Sequence, residues 1–411
     1  MATHKENVAR LREQGVEIPA PEQVYIGPEV DLGRISGPKT VLYPGTRLNG
    51  AKLRIMGGCT IGQEGPATVD DCALGRDVEL KAGFFAGSVF LDGANMGLGA
   101  HVRQGTILEE EANGAHTVGL KQTILLPFVT LGSLINFCDI LMAGGTSRRD
   151  HSEVGSSFIH FNFTPSGAHG DKATASLIGD VPRGVMLRSK RIFLGGQAGL
   201  VGPVQMEYGT VLAAGFVYRQ NHGPDELVVG ERLMPMTLPF NPTQLNRIRD
   251  KVTRNLRYAA NIIALRHWYT QVRAQLAAGD AALADVYAAA VACLDVVIAE
   301  RRKQLGRIAS YMEDSIAALE STGERKAKEV ADQRAFAAAW PKMEQALTKV
   351  DGFSSGDEPE LKTLLAALPS VADKPYTEAI QALPDEAAAA GTGWLEGIVT
   401  RVVDPQLALM S

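Results

Sequence analysis

The sequence predicts a mainly β fold, a left-handed parallel β-helix of hexapeptide repeats, followed by an all-α C-terminal domain. Three observations carry that expectation. Most of the 43 glycines fall before about residue 225. In that part, short units of one aliphatic residue plus glycine recur with a register of about six. Beyond residue 241 the composition turns to Ala, Leu, Glu, Arg and Lys, with apolar residues three or four apart.

The repeat units are IGPEVD (26–31), LGRISG (32–37), IGQEGP (61–66), LGRDVE (74–79), LKAGFF (80–85), MGLGAH (96–101) and VRQGTI (102–107). A period of six fits neither a helical stripe nor hairpin alternation, whereas a triangular coil of three units does fit it. In such a coil one aliphatic residue per unit points into the prism, and small residues take the tight corners. Ile26, Leu32, Ile61, Leu74, Leu80 and Val102 are therefore the expected core columns. The implied domains are an N-terminal helix and lead-in over 1–23, the β-helix over 24–225, a linker over 226–240 and a helical domain over 241–411.

In the helical part, NPTQLNRIRDKVTRNLRYAANIIALRHWYTQVRAQLAAG places Ile248, Val252, Leu256, Ala259, Ile263 and Val272 on one stripe and ends at Gly279, which predicts one long amphipathic helix. A second stripe follows through Leu283, Val286, Ala290, Leu294, Val297, Leu305, Ile308, Met312, Ile316 and Leu319. The two fold back as a hairpin about Ala278 to Ala281. The helical stretch GERKAKEVADQRAFAAAWPKMEQALTKV is expected to break or kink at Pro341. DGFSSGDEPE reads as a linker, and short helices punctuated by Pro369, Pro375, Pro384 and the Gly391–Gly393 pair complete the chain. The stripes suit either an oligomerising or partner-binding coiled coil or the core of a helical appendage.

With 45% hydrophobic and 21% charged residues, the chain has material for two or three cores. Its net charge of −5 offers no global basic field, so neither a nucleic acid nor an anionic membrane is an expected partner. Cys59, Cys72, Cys138 and Cys293 lie far apart without a CxxC pair, which argues against a zinc ribbon, a dithiol redox motif or a disulfide framework. MATHKENVARLREQG has no apolar core of a signal peptide, and no apolar run near eighteen residues occurs elsewhere. The expectation is a soluble, cytoplasmic protein.

The stretch HVRQGTILEEEANGAHTVGLKQTILLPFVTLGSLINFCD (101–139) resembles, without a gap, the acetyltransferase half of the bifunctional bacterial N-acetylglucosamine-1-phosphate uridyltransferase and glucosamine-1-phosphate acetyltransferase family. In that family an Arg opens the stretch, a Lys follows eighteen residues later and an active-site His twelve after that; here these places hold Arg103, Lys121 and Ser133. Eighteen residues make one coil, so Arg103 and Lys121 should stand one above the other. Two stacked cations suit a phosphate dianion, which a guanidinium can fork and an ammonium can neutralise. From spacing alone, a solvated Arg and Lys on a prism face fit as well. The resemblance favours the phosphate site.

The similarity resumes in HSEVGSSFIHFNFTPSGAHGDKATASLIGD (151–180), where Asn162 and Phe163 hold the positions of a family Asn–Tyr pair and Lys172 lies near the family's loop lysines. IFLGGQAGLVGPVQMEYGTVLAAG (192–215) follows the family's last coils, with Gly196 where Ser is usual. The resemblance implies that the backbone here, including Gly196, Ala213 and Ala214, lines a groove for acetyl-CoA. It covers residues 101–220, reaches 24–100 only through the shared repeat, and leaves the helices without a counterpart. No LxAGxGTRM segment of the uridyltransferase type occurs, so no nucleotidyltransferase activity is expected.

Departures from the family bear on the chemistry. Acetyl transfer to a protonated amine needs a base, for which imidazole has a suitable pKa. Ser133 is a hydrogen-bonding group and not a base. Asn136 replaces a sugar-contacting Tyr, Glu153 falls where Asn is usual, and Phe163 replaces the Tyr of the pair. Asp150, His151, Glu153, His160 and His169 are the candidate replacement bases, with His151 and His160 foremost; as a plain alternative they are loop and surface residues. Arg148 and Arg149 either extend the anion site or cover the solenoid. Some left-handed β-helices resembling γ-class carbonic anhydrases hold zinc on three His, but the nine-residue spacings of His151, His160 and His169 do not match that pattern, and no metal is expected.

Two functions follow. The first is an acyl-CoA-dependent acyltransferase, with acetyl-CoA as the expected donor, acting on a phosphorylated or nucleotide-linked amino sugar, and trimeric because the family builds its sites between subunits. The second is a non-catalytic sugar-phosphate or nucleotide-sugar binding module or scaffold, which would take a ligand such as UDP-N-acetylglucosamine and has lost the base at Ser133.

Overall fold

A computed structural model describes residues 4–166, 170–230, 235–237, 239–323 and 326–411. Short parallel strands wind into a β-solenoid of about 11 turns, the left-handed parallel β-helix the repeats predict. One sheet of 16 strands wraps two faces of the prism and a sheet of 10 strands forms the third. Ile26, Ile61, Leu74, Leu80 and Val102 are fully buried and Leu32 nearly so, which confirms the aliphatic columns.

The front face stacks Phe84 on His101, His101 on Gly119, Gly119 on Asn136 and Asn136 on Ile159. The side face stacks Asn95, Asn113, Thr130, Glu153 and Phe193. Two long strands, Gly119–Leu125 and Asn136–Met142, run from the front face onto the back face. They turn the corner at Gln122 (φ 49°) and Asp139 (φ 59°), both in the left-handed region. Beyond Met142 the coils carry insertions: an antiparallel hairpin of Gly145–Ser147 with Asp150–His151, an irregular loop after Phe161, and a helical turn.

Helix α1 (His4–Glu13) lies over the first coil, with Val8 and Leu11 buried. The helical turn α2 (Val181–Gly184) leads into the last coils. The first long helix, α3 (Ile248–Trp268), continues through a π-helical turn, Tyr269–Arg273, into α4 (Ala274–Leu276). The expected stripe Ile248, Val252, Leu256, Ala259, Ile263 and Val272 is buried throughout. Residues 241–247, expected to be helical, are not. The Asn241 side chain accepts from Thr243 N, and the Glu329 carboxylate takes the N–H groups of Arg247 and Ile248, so the helix is capped late.

The hairpin partner α5 (Ala281–Ala309) starts at Asp280, whose Oδ1 accepts from Leu283 N at 3.0 Å. Helix α6 (Met312–Glu320) continues the second stripe after a break at Ser310–Tyr311. By length and composition alone the stretch Ala281–Glu320 is apolar enough to cross a membrane, although Asp285 and Asp295 interrupt it. Its stripe Val286, Ala290, Leu294 and Val297 is buried, with α5 packed on α3, α7 and the back face of the β-helix. The hairpin is thus a core element of the chain, as the helical-appendage alternative required.

Helix α7 (Ala327–Thr348) runs through Pro341 where a break or kink was expected. DGFSSGDEPE is not a free linker: Arg401 Nε donates to Phe353 O and Trp394 Nε1 to Ser354 Oγ. Helices α8 (Pro359–Ala367), α9 (Tyr376–Gln381) and α10 (Asp385–Ala408) follow. The glycine pair interrupts nothing, because α10 passes through it. A Cβ at Gly391 would meet Met186 Cε at 2.5 Å and a Leu364 methyl at 3.1 Å. Glycine there permits close packing of α10 on the β-helix and α8.

One buried polar cluster joins the two halves. The Arg273 side chain, fully buried in the π-helical turn, donates to Glu109 Oε2 at 3.0 Å and to Glu110 Oε1 at 2.6 Å on the β-helix. The Tyr376 ring stacks on its guanidinium at 3.5 Å.

Candidate functional site

The strand register places Val102 beside Leu120, and Arg103 N donates to Leu120 O, so Arg103 stands directly over Lys121. The next coil sets Cys138 under Lys121. Arg103 is exposed and Lys121 half-buried, and neither has a carboxylate partner within 4 Å among the described residues. Burial and the adjacent Asp139 push the Cys138 thiol up, while Arg103 and Lys121 pull against them. Arg103 and Lys121 are thus successive cations on one column of the front face, one ladder step of about 4.8 Å apart along the backbone.

Asn162 lies at the edge of this column, one coil beyond Asp139, and its Nδ2 donates to Asp139 Oδ2 at 2.9 Å. Phe163 is exposed, and Asn136 points outward from the middle of the front face. Lys172 is exposed on the loop after Phe161, whose residue Asp171 bridges back to Thr164.

A second column runs along the corner between the side and front faces. Ser133 N donates to Ser156 Oγ at 3.2 Å, Gln197 N to Ser156 O, and Gly215 N to Gly196 O. Ser133, Ser156, Gly196 and Ala214 therefore follow one another coil by coil, with Ala213 beside them. A Cβ at Gly196 would stand 2.7 Å from Ser156 O, which accounts for glycine where the family has Ser. The corner also holds a residue the sequence reading passed over. Gly114 stacks on Leu131, and Leu134 N donates to His116 O, so His116 sits one coil above Ser133. It is exposed, with Nδ1 3.3 Å from Thr117 Oγ1. His116 stands seventeen residues before Ser133, one short of the eighteen from Arg103 to Lys121, so a strict step of eighteen leads to Ala115 instead.

The candidate bases do not come together. His160 points into the prism and is only 2% exposed, which corrects its assignment as a base for a ligand outside. Its Nδ1 lies 2.5 Å from Cys138 O and its Nε2 2.8 Å from Ser176 Oγ. Burial pushes its pKa down to about 4. His151 sits on the inserted hairpin at the side face, with Nδ1 2.9 Å from Arg148 O and Nε2 4.0 Å from Glu153. Asp150 accepts from Thr146 in the same hairpin, and His169 lies outside the described residues. Arg148 is occupied on the solenoid, donating to Phe128 O at 2.8 Å and Thr130 Oγ1 at 2.9 Å, away from the Arg103–Lys121 column. Among the described residues no group of three or more His, Cys, Asp or Glu is arranged to hold a metal ion.

No protein-family model matches the chain. It is similar to bacterial proteins named bifunctional protein GlmU. That of Trichlorobacter lovleyi is 28% identical over 216 residues, 52% of this chain and 41% of the relative. That of Thermotoga maritima is 28% identical over 230 residues, 54% of this chain and 44% of the relative. That of Thermus thermophilus is 29% identical over 194 residues, 47% and 37% respectively. The chain spans less than half the length of these curated relatives. The family resemblance read from residues 101–220 is thus matched by named relatives and by the parallel β-solenoid.

Proposed function

We propose that the chain binds a phosphorylated amino sugar at Arg103 and Lys121 and transfers an acyl group to it from acyl-CoA, as a glucosamine-1-phosphate N-acetyltransferase does. The observation that carries this reading is the stacked, unpaired Arg103–Lys121 column on the part of the prism that resembles the GlmU family. The donor, acetyl-CoA first, would lie along the corner formed by Gly196, Ala213 and Ala214. The amine would be presented near Asn136 and Asn162, with Phe163, Glu153 and Lys172 reached through assembly into a trimer. Attack of the amine on the thioester needs a proton acceptor. His116 is the exposed imidazole in the corner column, and His151 is the alternative on the hairpin; Ser133 contributes only a hydrogen bond.

The test is thiol release from acetyl-CoA with glucosamine-1-phosphate, together with calorimetric binding of that sugar. Arg103→Ala and Lys121→Ala should each weaken binding by about tenfold, the worth of one or two charge-assisted hydrogen bonds. Unchanged affinity in both would remove the phosphate site. His116→Ala should abolish turnover without weakening sugar binding, and turnover that persists there but fails in His151→Ala would move the base to the hairpin.

A specific observation favours a second reading, that of a binding module. The family's histidine position is Ser133, which is no base, and His160 is sealed inside. Binding of UDP-N-acetylglucosamine with no thiol release from any acyl-CoA would decide for it.

A further inference from the structure

Resting on that reading of the anion site, we propose that the C-terminal helices complete it: Arg301 of α5 is a positioning residue that orients Asn162 through Asp139, so that the Asn162 side-chain oxygen accepts from a hydroxyl or amine of the bound sugar. Arg301 is 1% exposed although it lies on a helix far along the chain. Its Nη2 donates to Asp139 Oδ1 at 2.5 Å, and Asp139 Oδ2 accepts from Asn162 Nδ2 at 2.9 Å. A carboxylate held by a guanidinium presents only acceptors to the amide, so the amide must turn its NH₂ inward. What remains facing the ligand is Oδ1, an acceptor. Such a group does not suit phosphate, which Arg103 and Lys121 take, but suits the donors of a sugar ring.

A second observation supports the same role. The loop that follows Asn162 is held at three consecutive residues by side chains of α3 and α5. Lys251 pairs with Asp171, Arg301 Nη1 donates to Lys172 O at 3.3 Å, and Asn255 Nδ2 donates to Ala173 O at 2.8 Å. Burying a guanidinium and an ammonium costs several kcal/mol before their partners offset it. Docking alone is served by the apolar stripe of α5, whereas these polar contacts end on Asp139, on the loop beside the site and, through Arg301 Nη2 at 3.4 Å, on Gln122 next to Lys121.

The experiment uses the full chain and measures glucosamine-1-phosphate affinity by calorimetry in Arg301→Gln, Asn162→Ala and the double variant. Arg301→Gln and Asn162→Ala should each weaken binding by about tenfold. The double variant should be no weaker than Arg301→Gln alone, because one residue acts through the other. Asp285→Asn removes another ion pair between α5 and the β-helix, at Arg54, and should bind as the unaltered protein does. Should Arg301→Gln fail to fold, Arg301→Lys, which keeps the charge but loses the fork, enters the same cycle. Single effects that multiply in the double variant overturn the proposal. So does an Arg301 variant that binds normally while Arg103→Ala does not. If Arg103→Ala also binds normally, the phosphate reading itself has failed.

Discussion

Replacing His160 by Gln should remove a defined part of the acid sensitivity of the β-helix. Ser176 Oγ accepts from Val204 N at 3.1 Å, so its own proton goes to His160 Nε2, and Nδ1–H donates to Cys138 O. These contacts suit the neutral Nδ1–H tautomer, and burial disfavours a second proton. Burial lowers its pKa from 6.5 to about 4, so between those values the unfolded chain holds a proton that the folded one refuses. Stability from this group is complete above pH 6.5, falls as the pH drops and is lost by about 4. A shift of that size corresponds to about 3 kcal/mol. Glu109 works in the opposite sense. Burial raises its pKa from 4.5 to about 7, so its contribution is full below 4.5 and is lost as the pH rises through 7. The raw pH curve mixes the two, and the difference between the unaltered protein and His160→Gln isolates the histidine. Urea unfolding at pH 7.5 and pH 4.5 measures it. The stability gap should narrow by about 2–3 kcal/mol on acidification. A gap that stays constant would refute a buried neutral His160 and would reopen its candidacy as a base.

Two further outcomes test the join between the halves. Arg273→Met leaves Glu109 and Glu110 buried without a cation and should cost about 3–5 kcal/mol in urea unfolding; a loss below about 1 kcal/mol would mean that the cluster is solvated. Gly391→Leu drives a side chain into Met186 and Leu364 and should destabilise by about 1–3 kcal/mol, read as a fall in Tm; an unchanged Tm would show that α10 can move away at no cost.

The columns of the β-helix were legible because burial imposes a local period: Ile26, Ile61 and Val102 each recur at the interior place of a unit. The Arg103–Lys121 stack was legible for the same reason, since one coil of spacing is one step of the ladder. His116 lies seventeen residues before Ser133, so a coil shortened by one residue hides it from a strict period. What the sequence did not disclose is non-local. Nothing local in ILEEEANG marks Glu109 and Glu110 as interior; their cation is Arg273, far along the chain. Likewise nothing near Arg301 in the sequence points to its partner, Asp139, a corner residue of the prism. Gly391 and Pro341 were read by local propensity, which packing overrode. His160 occupies an interior strand position that the repeat usually gives to an aliphatic residue, and a polar side chain there gives no sign of which way it points.

A solenoid of parallel strands has no intrinsic length. Each coil offers the next a complete row of N–H and C=O groups, and an uncovered terminal coil would accept a strand from another molecule equally well. At the first coil α1 closes that row: Leu11 is fully buried and Asn7 Nδ2 donates to Gly27 O at 3.4 Å. Ten residues of helix thereby cover a row of backbone groups that the first coil would otherwise offer to another strand.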